Sequence, residues 1–248
     1  MNDKNIQEQF SVRVNTFNTA ANWMLDEDLI NIHVEVARQA LPIQTDCLDL
    51  CCGTGIIGKA FIDKGWRATG IDITYEMAKK SQKVFNSTCA SIEYMPFNDN
   101  SFDLVVLRQS YMLVNGPAVL KEIKRVLREG GIFILSQSVS FSSGDDARYR
   151  MVQLARHINI VKYYTTQDLI QELTENGFDV QGKRFLRVRE SVNKWLDSAP
   201  GLSVNLRNEI FKLIKTASPE YKEIRNVEFC DGQLHEDWNW IVITACSI

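Results

Sequence analysis

"CLDLCCGTGIIGKAF", residues 47–61, is the stretch that decides the fold. It contains G-x-G-x-x-G, formed by Gly53, Gly55 and Gly58, directly after a short apolar run that is typical of a strand. A second apolar run, "RATGID", ends at Asp72, close to the separation of about 20 residues in the dinucleotide-binding fingerprint. The pattern predicts strand, glycine loop, helix and strand, with a ligand at the loop.

The same alternation continues along the chain after this unit. Short apolar runs that predict strands alternate with amphipathic segments that predict helices. The clearest helix is "NGPAVLKEIKRVLREGG", residues 115–131, which we expect to start after Asn115 and to end at Gly130 or Gly131. Alternation of this kind predicts the α/β class: a doubly wound, Rossmann-like parallel sheet with helices on both faces.

Three segments do not follow the alternation. Residues 1–42 carry apolar side chains at helical spacing, and residues 141–164 and 191–230 are long excursions between sheet elements. Excursions of this length usually build lids or substrate walls. We therefore expect one domain over residues 1–248, with an N-terminal helical segment and two insertions that form a helical cap.

Composition narrows the class of partner. The chain has 248 residues and a formal net charge of -3, so no basic field indicates a nucleic-acid partner. The chain lacks an apolar run of the roughly 18 residues that span a bilayer, and its first residues lack a signal pattern, so we expect a cytoplasmic protein without a membrane partner. The six cysteines lack zinc spacing, which predicts reduced thiols and no metal. The sequence does not indicate an oligomeric state.

The position of Asp49 bears on the chemistry of the ligand. A pyrophosphate bound at a helix N-terminus would be repelled by a nearby carboxylate. Asp49 stands four residues before Gly53, at the end of the predicted first strand. A ligand with a positive charge near the loop is favoured instead.

Four segments in order resemble the class I S-adenosylmethionine-dependent methyltransferases, in particular the small-molecule branch that methylates quinone precursors. "DLCCGTG" (49–55) is similar to the family's acidic residue and G-x-G-x-G, with Cys51 in place of the first glycine. Asp72 matches the acid that ends the family's second strand. "ASIEYMPFNDNSFDLVVL" (90–107) and "VLKEIKRVLREGGIFILS" (119–136) resemble the later signatures.

The resemblance implies a seven-stranded sheet whose last strand is antiparallel. It also implies S-adenosyl-L-methionine as cofactor, S-adenosyl-L-homocysteine as product and methyl transfer to oxygen, nitrogen or activated carbon of a small molecule. Asp72 would accept the ribose hydroxyls, and Ser91 and Ile92 would contact the adenine. The full set of expected cofactor-binding residues is Asp49, Cys51, Gly53, Gly55, Asp72, Ile73, Ser91, Ile92 and Arg108.

The acceptor side is predicted from position. Residues that follow the predicted fourth strand, "FDLVVL" (102–107), should face the methyl group. We therefore expect Gln109 and Tyr111 to contact substrate. Tyr164 opens a helix beside the expected pocket and is a third candidate contact. His157 is a candidate general base because imidazole titrates near neutrality, and Tyr111 is the second catalytic candidate.

Two other functions stay open. One is an NAD-dependent dehydrogenase. "YEMAK", residues 75–79, matches the Y-x-x-x-K of some dehydrogenases, but this segment follows the second strand, where it could not reach a nicotinamide ring. A noncatalytic regulatory protein that binds S-adenosylmethionine is the alternative from another class. A methyltransferase acting on nucleic acid or protein is disfavoured by the acidic balance.

Overall fold

A single twisted sheet organises residues 3–248, which are the residues that the computed structural model describes. The strands are β1 (Asp46–Leu50), β2 (Arg67–Asp72), β3 (Asn86–Cys89), β4 (Phe102–Arg108), β5 (Leu127–Val139), β6 (Phe178–Ser191), β7 (Glu228–Cys230) and β8 (Gln233–Ser247). Their order across the sheet is β3-β2-β1-β4-β5-β8-β6, and β7 pairs with β8.

The strand directions confirm the predicted fold class. The ladder from β3 to β5 is parallel, whereas β8 runs antiparallel to both β5 and β6. The sheet has one strand more than expected, because the short β7 folds back on β8 as a hairpin. Chain order reverses between β1 and β4, and ligands of doubly wound sheets bind at the carboxyl ends of the strands at such a switch point.

Helices cover both faces of the sheet. They are α1 (Asp3–Ser11), α2 (Glu27–Ala40), α3 (Ile56–Ile62), α4 (Tyr75–Ser81), α5 (Gly116–Val126), α6 (Ser143–Arg156), α7 (Thr166–Glu175), α8 (Val192–Asp197), α9 (Val204–Lys215) and α10 (Pro219–Ile224). Among residues 3–248, no helix is both long enough and apolar enough to cross a membrane.

Helix α5 differs from its predicted bounds. It ends at Val126 rather than at Gly130 or Gly131, because Leu127 already pairs with Phe102 in the sheet. Leu127 is buried, so burial against the neighbouring strand prevails over its local helix propensity. Asn115 immediately precedes the helix, but its side chain makes no capping hydrogen bond.

The apolar side chains form three clusters. One lies on the face covered by α5 and α7, and a second lies on the face covered by α2 and α3. The third lies beneath α6 and α8–α10, and contains the aromatic side chains Trp23, Tyr149, Trp195, Tyr221, Trp238 and Trp240. Helices α6 and α8–α10 are called the cap below. The apolar cluster beneath the cap is separate from the other two, and its aromatic side chains cover the strand ends.

Buried charges tie the cap to the rest of the molecule. Arg225, after α10, forms ion pairs with Asp145 of α6 at 2.8 Å and with Glu236 of β8 at 3.4 Å. All three side chains are fully or almost fully buried. Breaking such a pair would leave an uncompensated charge out of water.

Candidate functional site

The glycine loop follows β1 and is hydrogen-bonded to the end of β2. Gly53 has φ +54°, and its backbone N–H donates to Asp72 Oδ2 at 2.9 Å. The N–H of Thr74 donates to the other Asp72 oxygen at 2.8 Å. Asp72 is only 7% exposed, and burial is the largest cause of its raised pKa. One carboxylate therefore holds two turns in place and keeps its remaining lone pairs for a ligand.

The third glycine of the fingerprint has a packing role. A Cβ on Gly58 would lie 2.4 Å from Cε1 of Phe85, and a Cβ on Gly70 of β2 would lie 2.5 Å from the same ring. The Phe85 side chain thus occupies the space between α3 and β2. Gly58 allows the helix to approach the sheet, so the spacing G-x-G-x-x-G does not require a phosphate here.

Asp49 lies beneath the loop. It is 3% exposed, and its Oδ2 accepts the N–H of Gly58 at 2.9 Å. Burial raises its pKa to about 7, and the charge of Asp72 adds to this shift. The Gly58 N–H and the charge of Arg108 act in the opposite direction. A cationic group placed beside Asp49 would therefore stabilise the charged form of its carboxylate.

Two cavities meet at the strand ends. The inner cavity, of about 680 Å³ including the part open to solvent, is lined by apolar side chains and by the polar residues Asp72, Thr74, Ser91, Glu93 and Ser110. The outer cavity, of about 810 Å³, extends from Asp49 to the cap. Phe10 and Phe17 of the N-terminal segment line both, with ring centroids 6.1 Å apart. The segment therefore forms the wall between the two cavities.

The outer cavity has a basic wall. Arg13, Arg108 and Arg156 all line it. Burial lowers the pKa of Arg13 and of Arg108 to about 10, and it also lowers that of Arg156. The aromatic rings of Trp23, Trp195 and Trp238 complete the enclosure. The cavity thus combines an apolar surface with concentrated positive charge.

The family comparison supports this geometry. Residues 48–135 match the family model of a methyltransferase domain, and they include the glycine loop, Asp72 and Arg108. Residues 48–135 are thus similar to a methyltransferase domain. The acidic ends of β1 and β2 lie within the matched residues.

Curated relatives match parts of the chain. A sterol 4-C-methyltransferase of Caenorhabditis elegans is 28% identical over 145 residues, which is 54% of this chain and 43% of that protein. A malonyl-[acyl-carrier protein] O-methyltransferase of Hamiltonella defensa is 32% identical over 143 residues, 54% of this chain and 55% of that protein. The chain thus spans about half the length of the curated relatives it matches.

Solved structures share the methyltransferase fold over most of the chain. A protein from Bacillus halodurans assigned as a methyltransferase superposes with a TM-score of 0.77 at 21% identity, covering 87% of this chain and 97% of that one. The [4+2]-cyclase SpnF has a TM-score of 0.67 at 15% identity and covers 100% of this chain and 97% of its own. At such identities the likeness concerns the fold alone.

Most of the predicted cofactor residues of the methyltransferase domain line the two cavities. Asp72, Ile73, Ser91 and Ile92 line the inner cavity, Asp49 and Arg108 line the outer one, and Cys51 and Gly53 line both. Gly55 lines neither. It precedes α3 with φ +89°, so it shapes the start of the helix.

Gln109 reaches the outer cavity, but its side chain is held by the sheet. Its Nε2 donates to Ser138 Oγ at 2.7 Å, and its Oε1 accepts the Ser138 N–H at 2.8 Å. Its φ of +55° is unusual for a residue with a side chain. This geometry fixes the turn after β4 and leaves less of the amide free for a substrate than expected.

Tyr111 and Tyr164 lie away from the cavities, contrary to prediction. Both are buried, and both hydroxyl groups donate to Glu172 Oε1, at 2.9 and 2.8 Å. Neither lines the inner or the outer cavity. The short helical turn after β4 points the Tyr111 ring into the core, so neither substrate contact nor catalysis is now expected of these tyrosines.

His157 lines the outer cavity but is poorly suited to act as a base. Arg156 Nη1 lies 2.8 Å from its Nε2. Burial lowers the pKa of His157 well below its usual value, and the charges of Arg156 and Arg13 lower it further. A proton accepted here would face two guanidinium groups, which opposes the predicted role as general base; that role stays a prediction.

Several lining residues were not identified from the sequence as functional. They are Phe10, Arg13, Phe17, Arg156, Trp195 and Trp238. An arginine on an amphipathic helix is usually solvated, so no local signal separates Arg13 or Arg156 from surface residues. Phe17 lies 3.2 Å from the position that a Cβ on Gly53 would take.

Proposed function

We propose that the chain transfers the methyl group of S-adenosylmethionine to a small-molecule acceptor. The observation that carries this proposal is the pair of buried carboxylates, Asp49 and Asp72, at the ends of adjacent strands on either side of the glycine loop. A dinucleotide would bring a pyrophosphate to this loop, close to Asp49, where repulsion would oppose it.

The residues of the inner cavity fit the adenosine part of this cofactor. Asp72 has lone pairs free for two ribose hydroxyls, since each oxygen accepts only one backbone N–H. Ile73, Met77 and Ile92 supply apolar surface for a flat ring. Asp49, beside the outer cavity, is the acid on which an ammonium group can be placed.

When bound, S-adenosylmethionine supplies a methyl group on a sulfonium, which transfers to a nucleophile by in-line displacement. The chain contributes binding, orientation and exclusion of water, which can supply most of the rate of such a step. Phe10 and Phe17 cover the meeting point of the two cavities, and the cap covers the outer cavity. The acceptor enters the outer cavity.

The proposal has two alternatives, and ligand binding tests one of them. Isothermal titration calorimetry should detect S-adenosylhomocysteine and should detect neither NAD nor NADP. Tight binding of NADH, with a higher affinity in Asp49→Asn, would instead favour an NAD-dependent dehydrogenase. Mass spectrometry of material that copurifies with the chain would identify a bound acceptor.

Transfer of a tritiated methyl group to a pool of small molecules tests the second alternative. Binding without transfer to any acceptor would favour a noncatalytic regulatory protein. The size of the capped outer cavity favours a small molecule over nucleic acid. A cytoplasmic location and a single domain with a cap over residues 141–164 and 191–230 remain predictions.

A further inference from the structure

The outer cavity contains more positive charge than the protein itself neutralises. Arg13 is 6% exposed and Arg156 is 4% exposed. Within residues 3–248, neither they nor Arg108 form an ion pair, whereas the buried Arg225 forms two. A buried guanidinium without a carboxylate is costly unless a ligand supplies the counter-charge.

Two of the three arginines have a buried donor without a partner, and the third, Arg156, is bonded only to neutral groups. Nε of Arg13 and Nη1 of Arg108 are buried without a hydrogen-bond partner. Arg13 lies over the rings of Phe10 and Phe17, at 5.4 and 5.6 Å. Arg156 donates to the Trp195 carbonyl and to Ser198, and only its Nη1 is directed to His157.

The nearby carboxylates do not balance these charges. Asp49 favours its protonated form more than an ordinary aspartate, because burial raises its pKa to about 7. Glu190 already accepts backbone N–H groups from Asn22, Trp23 and Ser191. The charges of Asp49 and Glu190 act on Arg108 and Arg156, but neither carboxylate forms an ion pair with them and burial raises the pKa of both to about 7, so they balance the three guanidiniums only in part.

The proposed cofactor does not balance them either. S-adenosylmethionine carries one carboxylate, but it also carries an ammonium and a sulfonium, so its binding adds net positive charge. Arg108, which interacts with Asp49, lies on the cofactor side of the cavity. Arg156, at the end of α6, lies over Trp195, whereas Arg13 lies over Phe10 and Phe17; both arginines line the outer cavity.

Resting on the proposed function, we propose that the methyl acceptor is an organic oxyanion, with a carboxylate or phosphate bound by Arg13 and Arg156 and an apolar body that packs against the contacting rings of Trp195 and Trp238. The planar guanidinium fork matches both oxyanions.

Fluorine NMR line broadening tests the inference on the full chain, with and without S-adenosylhomocysteine. The probes are 4-fluorophenylacetate, 4-fluorophenyl phosphate and the neutral 4-fluorophenylacetamide. At least one anion should bind tenfold or more tightly than the amide, and the stronger anion identifies the oxyanion. Equal binding of all three probes would overturn the inference.

Arg13→Gln is the decisive variant, because the Arg13 guanidinium has no protein acceptor whose loss would unfold the chain. It should weaken binding of the anion at least tenfold and leave the amide unchanged. Arg38→Gln is the matched control, since Arg38 is exposed and stacks on Trp66 outside the cavity. Unchanged anion binding in Arg13→Gln would contradict the proposal.

A cofactor arm separates the two proposals. S-adenosylhomocysteine and 5′-methylthioadenosine, which lacks the amino-acid carboxylate, are titrated into the native chain and into Arg13→Gln. If Arg13→Gln weakens only S-adenosylhomocysteine while anion binding persists, Arg13 binds the cofactor and the oxyanion proposal fails. If the native chain binds neither nucleoside, the proposed function fails, and the anion data without cofactor still test the arginines.

Discussion

The backbone N–H of Gly53 donates to the carboxylate of Asp72 at 2.9 Å and thereby joins the first strand's exit loop to the second strand's end. The same carboxylate faces the inner cavity. The acid that would bind the ribose therefore also holds the loop that would cover the cofactor. Removing it should disturb both functions at once.

Asp72→Ala should weaken binding of S-adenosylhomocysteine at least tenfold, since a hydrogen bond to a charged group contributes about 1.5–3 kcal/mol. Calorimetry provides the measurement. Asp63→Ala is the control, because that exposed carboxylate pairs with Lys59 on the outside of α3. Unchanged affinity in Asp72→Ala would refute the assignment of the inner cavity.

Asp49 should give the unliganded protein a measurable pH dependence. Its pKa is raised to about 7, so between about pH 4 and pH 7 the folded chain holds a proton that the unfolded chain releases. Its contribution to the free energy of unfolding therefore falls as the pH rises through this window. Asp49→Asn should flatten the decline in urea titrations at several pH values.

The pH dependence of the free energy of unfolding that remains in Asp49→Asn is the control for this experiment. Asp72 and Glu190 also have raised pKa values, so they contribute slopes of the same sign that persist in Asp49→Asn. The same variant should weaken S-adenosylhomocysteine binding, because the amide cannot neutralise the ammonium. A pH profile identical to that of the native chain would show that Asp49 titrates normally.

Gly58→Ala should destabilise the fold by about 1–3 kcal/mol, the usual cost of overpacking. The added Cβ would meet the ring of Phe85 at 2.4 Å. The double variant Gly58→Ala with Phe85→Leu should regain part of the loss in chemical denaturation. If the second change brings no recovery, the packing role assigned to Gly58 is incorrect.

Tyr111→Phe should lower stability by about 1 kcal/mol through the lost hydrogen bond to Glu172, while turnover stays the same. Urea denaturation and methyl-transfer kinetics measure the two effects separately. Tyr94→Phe, at a side chain that is 81% exposed, should change neither. A large fall in turnover with unchanged stability would return Tyr111 to the active site.

Glu190→Gln should loosen the N-terminal segment, because the carboxylate accepts the N–H groups of Asn22 at 2.8 Å and Trp23 at 3.3 Å. Hydrogen exchange at these two amides should accelerate. In the native chain, exchange over the N-terminal segment and residues 141–164 should slow when S-adenosylhomocysteine is added. Unchanged exchange in both segments would exclude their role as a cover.

The fold could be predicted from the sequence because its signals are local. The apolar runs of β1, β2 and β4 and the glycines beside them each specify their own geometry. Strand β3, "NSTC", was not recognised because it is short, polar and at the sheet edge. The end of α5 was misplaced because Leu127 is buried by a partner distant in sequence.

The cofactor side of the candidate site was more predictable than the acceptor side. Asp49 and Asp72 stand at strand ends that the pattern fixes. The position of the Tyr111 ring in the core could not be predicted, because a single helical turn after β4 decides whether the ring faces the cavity or the core. Arg13 lies in the turn after α1 and Arg156 at the end of α6, far apart in sequence, so only the tertiary structure brings them to one wall.

The Phe10 and Phe17 wall has a kinetic consequence. Residues of this segment are attached to both sides of the site, with Gln7 donating to the Ile73 carbonyl and Asn18 accepting from Thr54. These contacts must break before the segment can move away from the two cavities. We therefore expect the segment's opening, rather than methyl transfer, to limit turnover, so that the rate falls with solvent viscosity.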